Sequence, residues 1–556
     1  MRKLFVSSLI LIVCLVLAVS VLPFNATAAE VKDSGVFGAQ GDNLTWTLYY
    51  DDALVISGNG AMENWEKSSK VPWVKYYTVI KTVVIEDGVT SVGANMITAY
   101  KKLTSVTIPS TVISIGDQSF NNCDELISVN IASGVESIGD RVFSGCEKLP
   151  SIELPDSVTS LGKGVFYNCG KLKNVRLSAN LTVISEQLFA ASGVNKVVIP
   201  EGVTKIENAA FMNCHGLGAV SIPEGMIEIA DSAFSGTPIK TISLPSTLKR
   251  IGKQAFYKAG LVSIEIPDGV TEIGESTFYS CSDMTSVKLP ESLLTIGRRA
   301  FENCKSLKSI NIPPSLGIIN QLAFFGCGLE TIEIPEGITR IEKSAFGYCV
   351  KLKTITFPST LEVIDDEGFT NCSVLKNIIL PNNLKELKRS AFDNCRALEN
   401  LTIPESVVKI GQWALRDSAK EITVLSKNAE IAEDAFGDPK SYYYKAPKLV
   451  GYLNSTTAEI ANKIKCQFEA LDAPEYTVTE PATEPVTEPV TEPVTEPATE
   501  PVTEASTDAV TDATGTVPPS DARNEEKNGI AVTVICIGAA VLVAAAVAVI
   551  LVRKKK

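Results

Sequence analysis

Apolar and polar residues follow one pattern that repeats along most of the chain. In its clearest copies, aliphatic residues alternate with small or polar ones and lead to a proline, as Val106 and Ile108 lead to Pro109. This period-two alternation predicts a short β-strand with one buried and one exposed face. A second apolar pair follows three and six places after the proline, and a phenylalanine follows eleven places after it. Each copy therefore predicts a coil with buried residues at fixed places.

The place of this proline serves as the anchor of each copy, and neighbouring anchors are 21 to 23 residues apart. The anchors are Glu86, Pro109, Ala132, Pro155, Ser178, Pro200, Pro223, Pro245, Pro267, Pro290, Pro313, Pro335, Pro358, Pro381, Pro404 and Leu425. A fixed period of this length is typical of a leucine-rich-repeat solenoid, here with about 15–16 coils. One coil cannot bury its own apolar residues, so we expect the coils to stack. Strands about 4.8 Å apart predict one sheet roughly 70 Å long.

The full pattern carries a family resemblance. It reads L-x-x-(I/V)-x-(I/L)-P-x-x-(V/L)-x-x-I-G-x-x-A-F-x-x-C, most clearly at residues 102–123, 282–304 and 351–372. This motif resembles the BspA-like leucine-rich repeat, over about residues 35–470. The resemblance implies a cell-surface binding protein whose repeats are not catalytic, and it does not identify the ligand.

Ten of the 13 cysteines lie fourteen places after an anchor. They are Cys123, Cys146, Cys169, Cys214, Cys281, Cys304, Cys327, Cys349, Cys372 and Cys395. Other copies place Ser192, Thr237, Ala259 or Ser418 there, so the position requires a small residue, which a buried free cysteine satisfies. We therefore predict a ladder of buried thiols. Disulfides between neighbouring coils are the alternative, because stacking brings Cα atoms within bridging range.

Glycine recurs seven places after the anchor, as at Gly116, Gly139 and Gly162. Glycine adopts backbone angles that other residues avoid. We therefore expect these glycines to serve a turn with unusual backbone angles.

The first 28 residues have the composition of a secretory signal peptide. Arg2 and Lys3 precede an apolar stretch at residues 4–22, and Ala26-Thr27-Ala28 offers a small-x-small cleavage site. A retained membrane anchor is the alternative interpretation of the apolar stretch.

Residues 29–83 break the period and predict an N-terminal cap. Residues 44–50 and 53–57 predict a β-hairpin, and the segment contains Trp46, Trp65 and Trp73. Terminal repeats of solenoids are atypical because they must shield the adjacent coil. The alternative interpretation makes the aromatic residues a ligand platform, with Trp65 and Trp73 as candidate glycan-binding residues. The segment also resembles the N-terminal cap found before such repeats.

The solenoid is predicted to span residues 84–438, followed by a C-terminal cap at 439–473. The repeat pattern fades after Phe436, through residues 441–445. Residues 458–471 have helical spacing, with Ile460, Ile464 and Phe468 on one side. This run resembles the closing segment of BspA-like domains.

Three further segments complete the chain. Residues 474–528 repeat Thr-Glu-Pro and carry 13 acidic residues against Arg523 and Lys527, which predicts an extended, semi-rigid stalk. Residues 529–552 form an apolar run long enough for a transmembrane helix. The basic tail at 553–556 places the C-terminus in the cytoplasm and the N-terminal region outside the cell.

The sequence lacks the motifs of several functional classes, and their absence argues against those functions. The formal net charge is −13 and no basic stripe occurs, which argues against nucleic-acid binding. His215 is the only histidine, and neither a Cys-x-x-Cys pair nor a nucleotide-binding motif is present. We therefore expect no enzyme activity, no cofactor and no metal.

The outward face of the predicted strands is the expected binding surface. Two places before each anchor stand mostly polar residues without an aromatic stripe. The charged members are the candidate binding residues: Glu153, Arg176, Glu265, Lys288 and Glu333. The alternative for each of them is an ordinary solvated side chain.

These predictions lead to a membrane-anchored, monomeric surface protein of the adhesin type, with an extracellular protein or matrix ligand. A polysaccharide-binding module is one alternative. A wall-spanning structural protein without its own ligand is the other.

Overall fold

The computed structural model describes residues 30–442 and 444–473, which form a solenoid of stacked coils. The predicted signal peptide at 1–28, stalk at 474–528, membrane helix at 529–552 and basic tail at 553–556 lie outside these residues. Within the described part, no helix is long and apolar enough to cross a membrane. Each coil has three sides, which we name the first strand side, the second strand side and the turn side.

The first strand side contains the strand that the alternation predicts. Val106 and Ile108 are buried, whereas Thr107 between them is exposed. The strands are Thr82–Ile85, Ser105–Ile108, Ser128–Ile131, Ser151–Glu153, Asn174–Arg176, Lys196–Val198, Ala219–Ser221, Ser263–Glu265, Ser286–Lys288, Thr331–Glu333, Thr354–Thr356, Asn400–Ile403, Glu421–Val424, Lys448–Gly451 and Phe468–Ala470. Neighbouring strands are parallel and in register, for example Val106 opposite Val129.

The prediction of one continuous sheet is wrong. The strands of this side divide into five hydrogen-bonded ladders. One break lies between Ser128–Ile131 and Ser151–Glu153, and another lies at residues 376–380. At the second of these, Asn377 has a φ of 46°, which turns the backbone out of the extended conformation.

The second strand side consists of short strands, all but one of two residues, that the sequence analysis did not predict. They include the apolar residue six places after each anchor, such as Ile115, which is buried. The strands are Gly60–Ala61, Val89–Val92, Ser114–Ile115, Ser137–Ile138, Ser160–Leu161, Val183–Ile184, Lys205–Ile206, Glu228–Ile229, Arg250–Ile251, Glu272–Ile273, Thr295–Ile296, Ile318–Ile319, Arg340–Ile341, Val363–Ile364, Glu386–Leu387, Lys409–Ile410 and Glu430–Ile431. They also pair in parallel, coil upon coil.

The turn side depends on residues in the left-handed conformation. In coil after coil, the ninth and thirteenth places after the anchor have positive φ, as at Gln118 (54°) and Asn122 (56°). Asparagine and glycine, which tolerate this conformation, are frequent at the thirteenth place. There the amides point to the next coil: Gln118 N–H donates to the Asp140 carbonyl at 2.8 Å, and Asn122 N–H to the Ser144 carbonyl at 2.7 Å.

The glycines seven places after the anchor have a different role from the predicted one. Gly116, Gly139 and Gly162 do not have positive φ. A Cβ atom on Gly116 would lie 2.5 Å from the Ala94 amide nitrogen of the preceding coil. Glycine is therefore required here because two backbones approach each other closely, and not because of a turn.

A column of phenylalanine rings fills the interior of the solenoid. Phe120 and Phe143 stack with centroids 5.6 Å apart, and the stacking continues through Phe369 and Phe392 at 5.3 Å. Leu415 takes the same place in a later coil, and all of these side chains are buried. The column crosses every coil, so each coil packs mainly on its neighbours.

The predicted thiol ladder runs beside this column. All ten ladder cysteines are buried free thiols. Cys146 Sγ donates to the Phe120 carbonyl of the preceding coil at 3.3 Å, and Cys169 Sγ to the Phe143 carbonyl at 3.1 Å. Where the position holds Thr237, its hydroxyl donates to the Phe234 carbonyl of its own coil at 2.8 Å. A small side chain therefore suits this position, and a cysteine or threonine there donates to a backbone carbonyl.

The N-terminal cap contains the predicted hairpin. Strands Val31–Phe37, Leu44–Tyr49 and Ala53–Gly58 are antiparallel, and Ala53–Gly58 pairs in parallel with Thr82–Ile85 of the first coil. Two 3₁₀ helices, Ser68–Lys70 and Val74–Tyr76, follow the hairpin. The cap thus covers the first coil and continues its ladder.

The C-terminal cap contains a shorter helix than the spacing predicts. The helix spans Thr456–Ile464, and the Ser455 side chain caps it by accepting a bond from the Ala458 amide at 3.3 Å. Lys465 ends the helix with a φ of 56°. The chain then returns to the first strand side as Phe468–Ala470, so the predicted helix over residues 458–471 is correct only to Ile464.

Candidate functional site

The five charged candidates all lie exposed on the first strand side. Glu153 is directly opposite Arg176, and Glu265 is directly opposite Lys288. Glu333 is opposite Thr356 and has no charged neighbour in its ladder. The structure therefore brings the candidates together as two pairs and one isolated carboxylate.

Hydrogen bonds and ion pairs occupy some of these charges. Arg176 donates to the Asp156 carboxylate and to the Leu154 carbonyl, both at 2.8 Å, and not to Glu153. Lys288 Nζ lies 2.5 Å from a Glu265 carboxylate oxygen, which raises the pKa of Lys288. Glu153 and Glu333 belong to no ion pair within the described part of the chain. These two carboxylates are thus available to a ligand.

Two grooves open on this face where the ladders break. The first, of about 450 Å³, lies at the break after Ser128–Ile131 and is lined by Asn130, Glu153 and Arg176. The second, of about 700 Å³, lies at residues 376–380. Broken pairing separates neighbouring strands, so the grooves and the breaks coincide.

An exposed isoleucine marks the second groove. Ile379 is 85% exposed, and Phe357 beside it in the groove lining is half-buried. Neighbouring coils place Thr356 and Thr402 at the same outward position. The sequence analysis selected only charges on this face, although an isoleucine at an outward position was a signal for this residue.

The two tryptophan candidates are not on the surface, and this part of the site prediction is wrong. Trp73 is fully buried and Trp65 is 6% exposed. Their ring centroids lie 5.6 Å apart, Phe37 lies 5.2 Å from Trp73, and the Trp73 Nε1 donates to the Met96 carbonyl at 3.3 Å. The rings form the core of the cap because the first coil needs an apolar cover, and they offer no face to a glycan.

Replacing Trp73 with alanine is expected to lower the free energy of unfolding by about 3–5 kcal/mol, because it empties a buried ring site. Tyr77→Ala is the matched control, since Tyr77 lies in the same segment and is 51% exposed. Urea unfolding of the full-length protein measures both. A Trp73→Ala protein as stable as the control would show that the tryptophan does not hold the cap together.

The described residues offer no grouped set of metal ligands. Within residues 30–442 and 444–473, no three His, Cys, Asp or Glu side chains are grouped as metal ligands. The ladder thiols donate to backbone carbonyls, and burial raises the pKa of Cys349 to about 12, which disfavours the thiolate that a metal requires.

The repeat matches a known family along most of its length. The model of the BspA type leucine rich repeat region, in six copies, matches residues 90–218, 205–329 and 339–457. The chain belongs to the BspA-type leucine-rich-repeat family. Solenoids of this family are typical of surface proteins and of binding proteins without enzyme activity.

Several solved bacterial structures are similar to this BspA-type chain. A leucine-rich repeat protein from Eubacterium ventriosum is 27% identical over 63% of this chain and 92% of its own, with a TM-score of 0.40. A leucine rich cell surface protein from Faecalibacterium prausnitzii is 28% identical over 63% and 94%, with a TM-score of 0.38. A leucine-rich repeat protein from Bacteroides ovatus is 25% identical over 65% and 94%, with a TM-score of 0.42. The comparison with curated proteins gave no match.

Proposed function

We propose that this BspA-type protein is an adhesin that presents its first strand side to an extracellular protein or matrix ligand. The observation that carries the proposal is Ile379, an aliphatic side chain 85% exposed in a groove of the outward face. Its solvation is unfavourable, and burial of such a side chain contributes about 1.5–3 kcal/mol. A protein partner that covers the groove would gain this energy.

The surroundings of Ile379 fit a protein partner better than a small molecule. The groove is open and shallow, and the same face carries the free carboxylates Glu153 and Glu333. Protein interfaces combine an apolar centre with a polar, partly charged rim. They bury roughly 800 Å² on each partner, and a face that extends over many coils can provide that area.

The proposed export and membrane anchoring of the protein rest on the terminal segments. The signal peptide would export the chain, and residues 529–552 would anchor it in a membrane. At about 3.1 Å per residue, the Thr-Glu-Pro segment would hold the solenoid up to roughly 170 Å from the anchor. An adhesin needs this reach to place its ligand-binding face beyond the cell wall.

The test is binding of the full-length protein to immobilised matrix proteins and to host cells. Ile379→Thr, which copies Thr356 and Thr402 of the neighbouring coils, is expected to weaken binding about tenfold. Charge reversal in Glu153→Lys and Glu333→Lys is expected to slow association, most strongly at low salt. None of these changes should alter the unfolding midpoint by more than a small amount, because the side chains are exposed.

The control for Ile379→Thr is Ile318→Thr. Ile318 is 51% exposed on the second strand side, and its paired neighbour is Thr295. Loss of binding in Ile379→Thr but not in Ile318→Thr supports the proposed face. Equal binding by both variants, or no saturable binding to any matrix protein or cell, rejects it.

A further inference from the structure

The last coil before the C-terminal cap is longer than the coils before it. Asn400 pairs with Glu421, 21 residues later, whereas Glu421 pairs with Lys448, 27 residues later. The added residues follow Phe436 and extend over the turn side. In repeat proteins, an insertion in one repeat commonly forms a loop on a binding face.

This insertion differs from the long connection at the other end of the solenoid. Between Ala53 and Thr82, which are also paired, the added residues fill the cap core with Trp65 and Trp73. At the C-terminal end the added residues instead wall a pocket of about 420 Å³. This volume is within the range of small-molecule sites. The insertion therefore forms one wall of a pocket in addition to covering the last coil.

The base of the pocket is a row of amide and carboxylate side chains. Asn371, Asn394 and Asp417 occupy the thirteenth place in three successive coils and line the pocket together. The Asn394 side-chain amide donates to the Asn371 side-chain oxygen. Arg396 lies 3.9 Å from the Asp417 carboxylate. The row thus presents donors and acceptors at the spacing of the coils.

Two buried polar atoms of this pocket have no hydrogen-bond partner among the described residues. They are the side-chain oxygen Oδ1 of Asn394 and the hydroxyl of Tyr444, which belongs to the inserted segment. A buried polar group without a partner costs about 1–3 kcal/mol. Such groups are rare in native proteins and require an explanation. Both atoms are covered by the residues around them, so a ligand would satisfy them only by shifting the inserted segment as it enters, accepting from Tyr444 and donating to Asn394.

Trp413 adds an aromatic ring to the pocket. It occupies the ninth place of its coil with a φ of 54°, where other coils have Gln118, Gln187 or Gln254. The ninth place has positive φ in other coils with residues as different as Ser344 and Leu322, so the backbone does not require an indole here. The Arg416 guanidinium lies 4.6 Å from the ring centroid and is held by Asp393, whose carboxylate accepts from its Nε at 2.8 Å.

We propose that this pocket binds one or two residues of a neutral oligosaccharide. A sugar ring offers many hydroxyls, each a donor and an acceptor, together with an apolar C–H face. The pocket offers amide, carboxylate, guanidinium and phenol groups together with one indole ring. Arg396 and Arg416 are near Asp417 and Asp393, and Asp438 adds one further carboxylate to the lining. The pocket therefore has a small excess of negative charge, which disfavours an anionic sugar and suits a neutral one.

The experiment uses the full-length protein on an array of neutral and sialylated oligosaccharides, followed by calorimetry with the neutral chains. Trp413→Gln copies the residue of three other coils and is expected to weaken binding about tenfold. Asn394→Gly keeps the left-handed backbone, as at Gly145 and Gly326, and is expected to weaken binding about five- to tenfold.

Asn303→Gly is the matched control, because Asn303 has the same place and a φ of 62° but lies outside the pocket. It should bind saccharide as the unaltered protein does, and so should Ile379→Thr, which separates this proposal from the adhesin proposal. The inference is overturned if no neutral oligosaccharide binds, if only sialylated ones bind, or if Trp413→Gln binds as tightly as Asn303→Gly.

Discussion

Raising the pH from about 9 to about 10.5 is expected to destabilise the solenoid, by up to roughly 1.4 kcal/mol per pH unit for each ladder thiol whose pKa the fold raises. Burial raises the pKa of nine of the ten ladder thiols, to about 12 for Cys169, Cys214 and Cys349. In the unfolded chain these thiols lose their protons near pH 9. Between about pH 9 and 12 only the unfolded state releases protons, so the free energy of unfolding falls as the pH rises.

Urea unfolding under reducing conditions at a series of pH values measures this effect. Tyrosine and lysine side chains also titrate above pH 9, so a variant must isolate the thiols. The triple substitution Cys327→Ser, Cys349→Ser and Cys372→Ser uses the residue that Ser192 and Ser418 already place at this position. We expect its stability to fall by about 4 kcal/mol less per pH unit than that of the unaltered protein. Identical pH profiles would show that the ladder thiols are not kept protonated by the fold.

Replacing Phe324 with alanine is expected to lower the free energy of unfolding by about 3–5 kcal/mol. Phe324 is fully buried in the middle of the ring column, with Phe301 at 5.4 Å and Phe346 at 5.3 Å. Its loss leaves a cavity that two rings border, and relaxation around it is limited by the bonded backbones of three coils. Because each coil is supported by its neighbours, the defect weakens the solenoid on both sides.

The adjacent Phe325 provides the control. It is half-buried on the turn side, next to Tyr348, and lies outside the column. Phe325→Ala is expected to cost less than half as much as Phe324→Ala, since less surface leaves the interior. Thermal unfolding and limited proteolysis would compare the two proteins. Equal losses of stability would contradict the idea that the stacked ring column stabilises the solenoid.

The buried part of the fold could be predicted because side-chain chemistry alone sets it. Val106 and Ile108 repeat with the period of a strand, and Phe120 and Cys123 recur at places that only stacking can bury. The backbone conformation of the turn side was not predictable in this way. Gln118 has no intrinsic preference for positive φ. It adopts that conformation because its backbone N–H bonds to the backbone carbonyl of Asp140 in the next coil. The role of Gly116 likewise depends on the neighbouring backbone.

For the proposed binding face, the sequence could predict which residues point outward but not which of them pair with one another. Alternation correctly predicts that Glu153 and Arg176 point outward. Arg176 nevertheless bonds to Asp156 and not to Glu153, and the repeat pattern does not predict this partner. The tryptophan content of the first segment could not show whether these rings form an exposed ligand platform or the buried core of a cap, because a residue such as Trp73 is compatible with both. The pocket near Trp413 follows from an insertion where the repeat fades, and the sequence marks its location but not its shape.

The backbone bonding of the coils has a consequence for the variation of this chain. On the turn side of the middle coils, N–H groups donate to the next coil, as from Phe301 to the Ala323 carbonyl. On the second strand side they donate to the preceding coil, as from Gly297 to the Ile273 carbonyl, and both patterns repeat from coil to coil. Removing or duplicating one unit of about 23 residues therefore restores the same junction and leaves both ends closed. In a gene with such similar units, unequal recombination would yield variants that differ in length by whole steps and remain folded. The number of units thus sets the length of the solenoid and the area of its outward face.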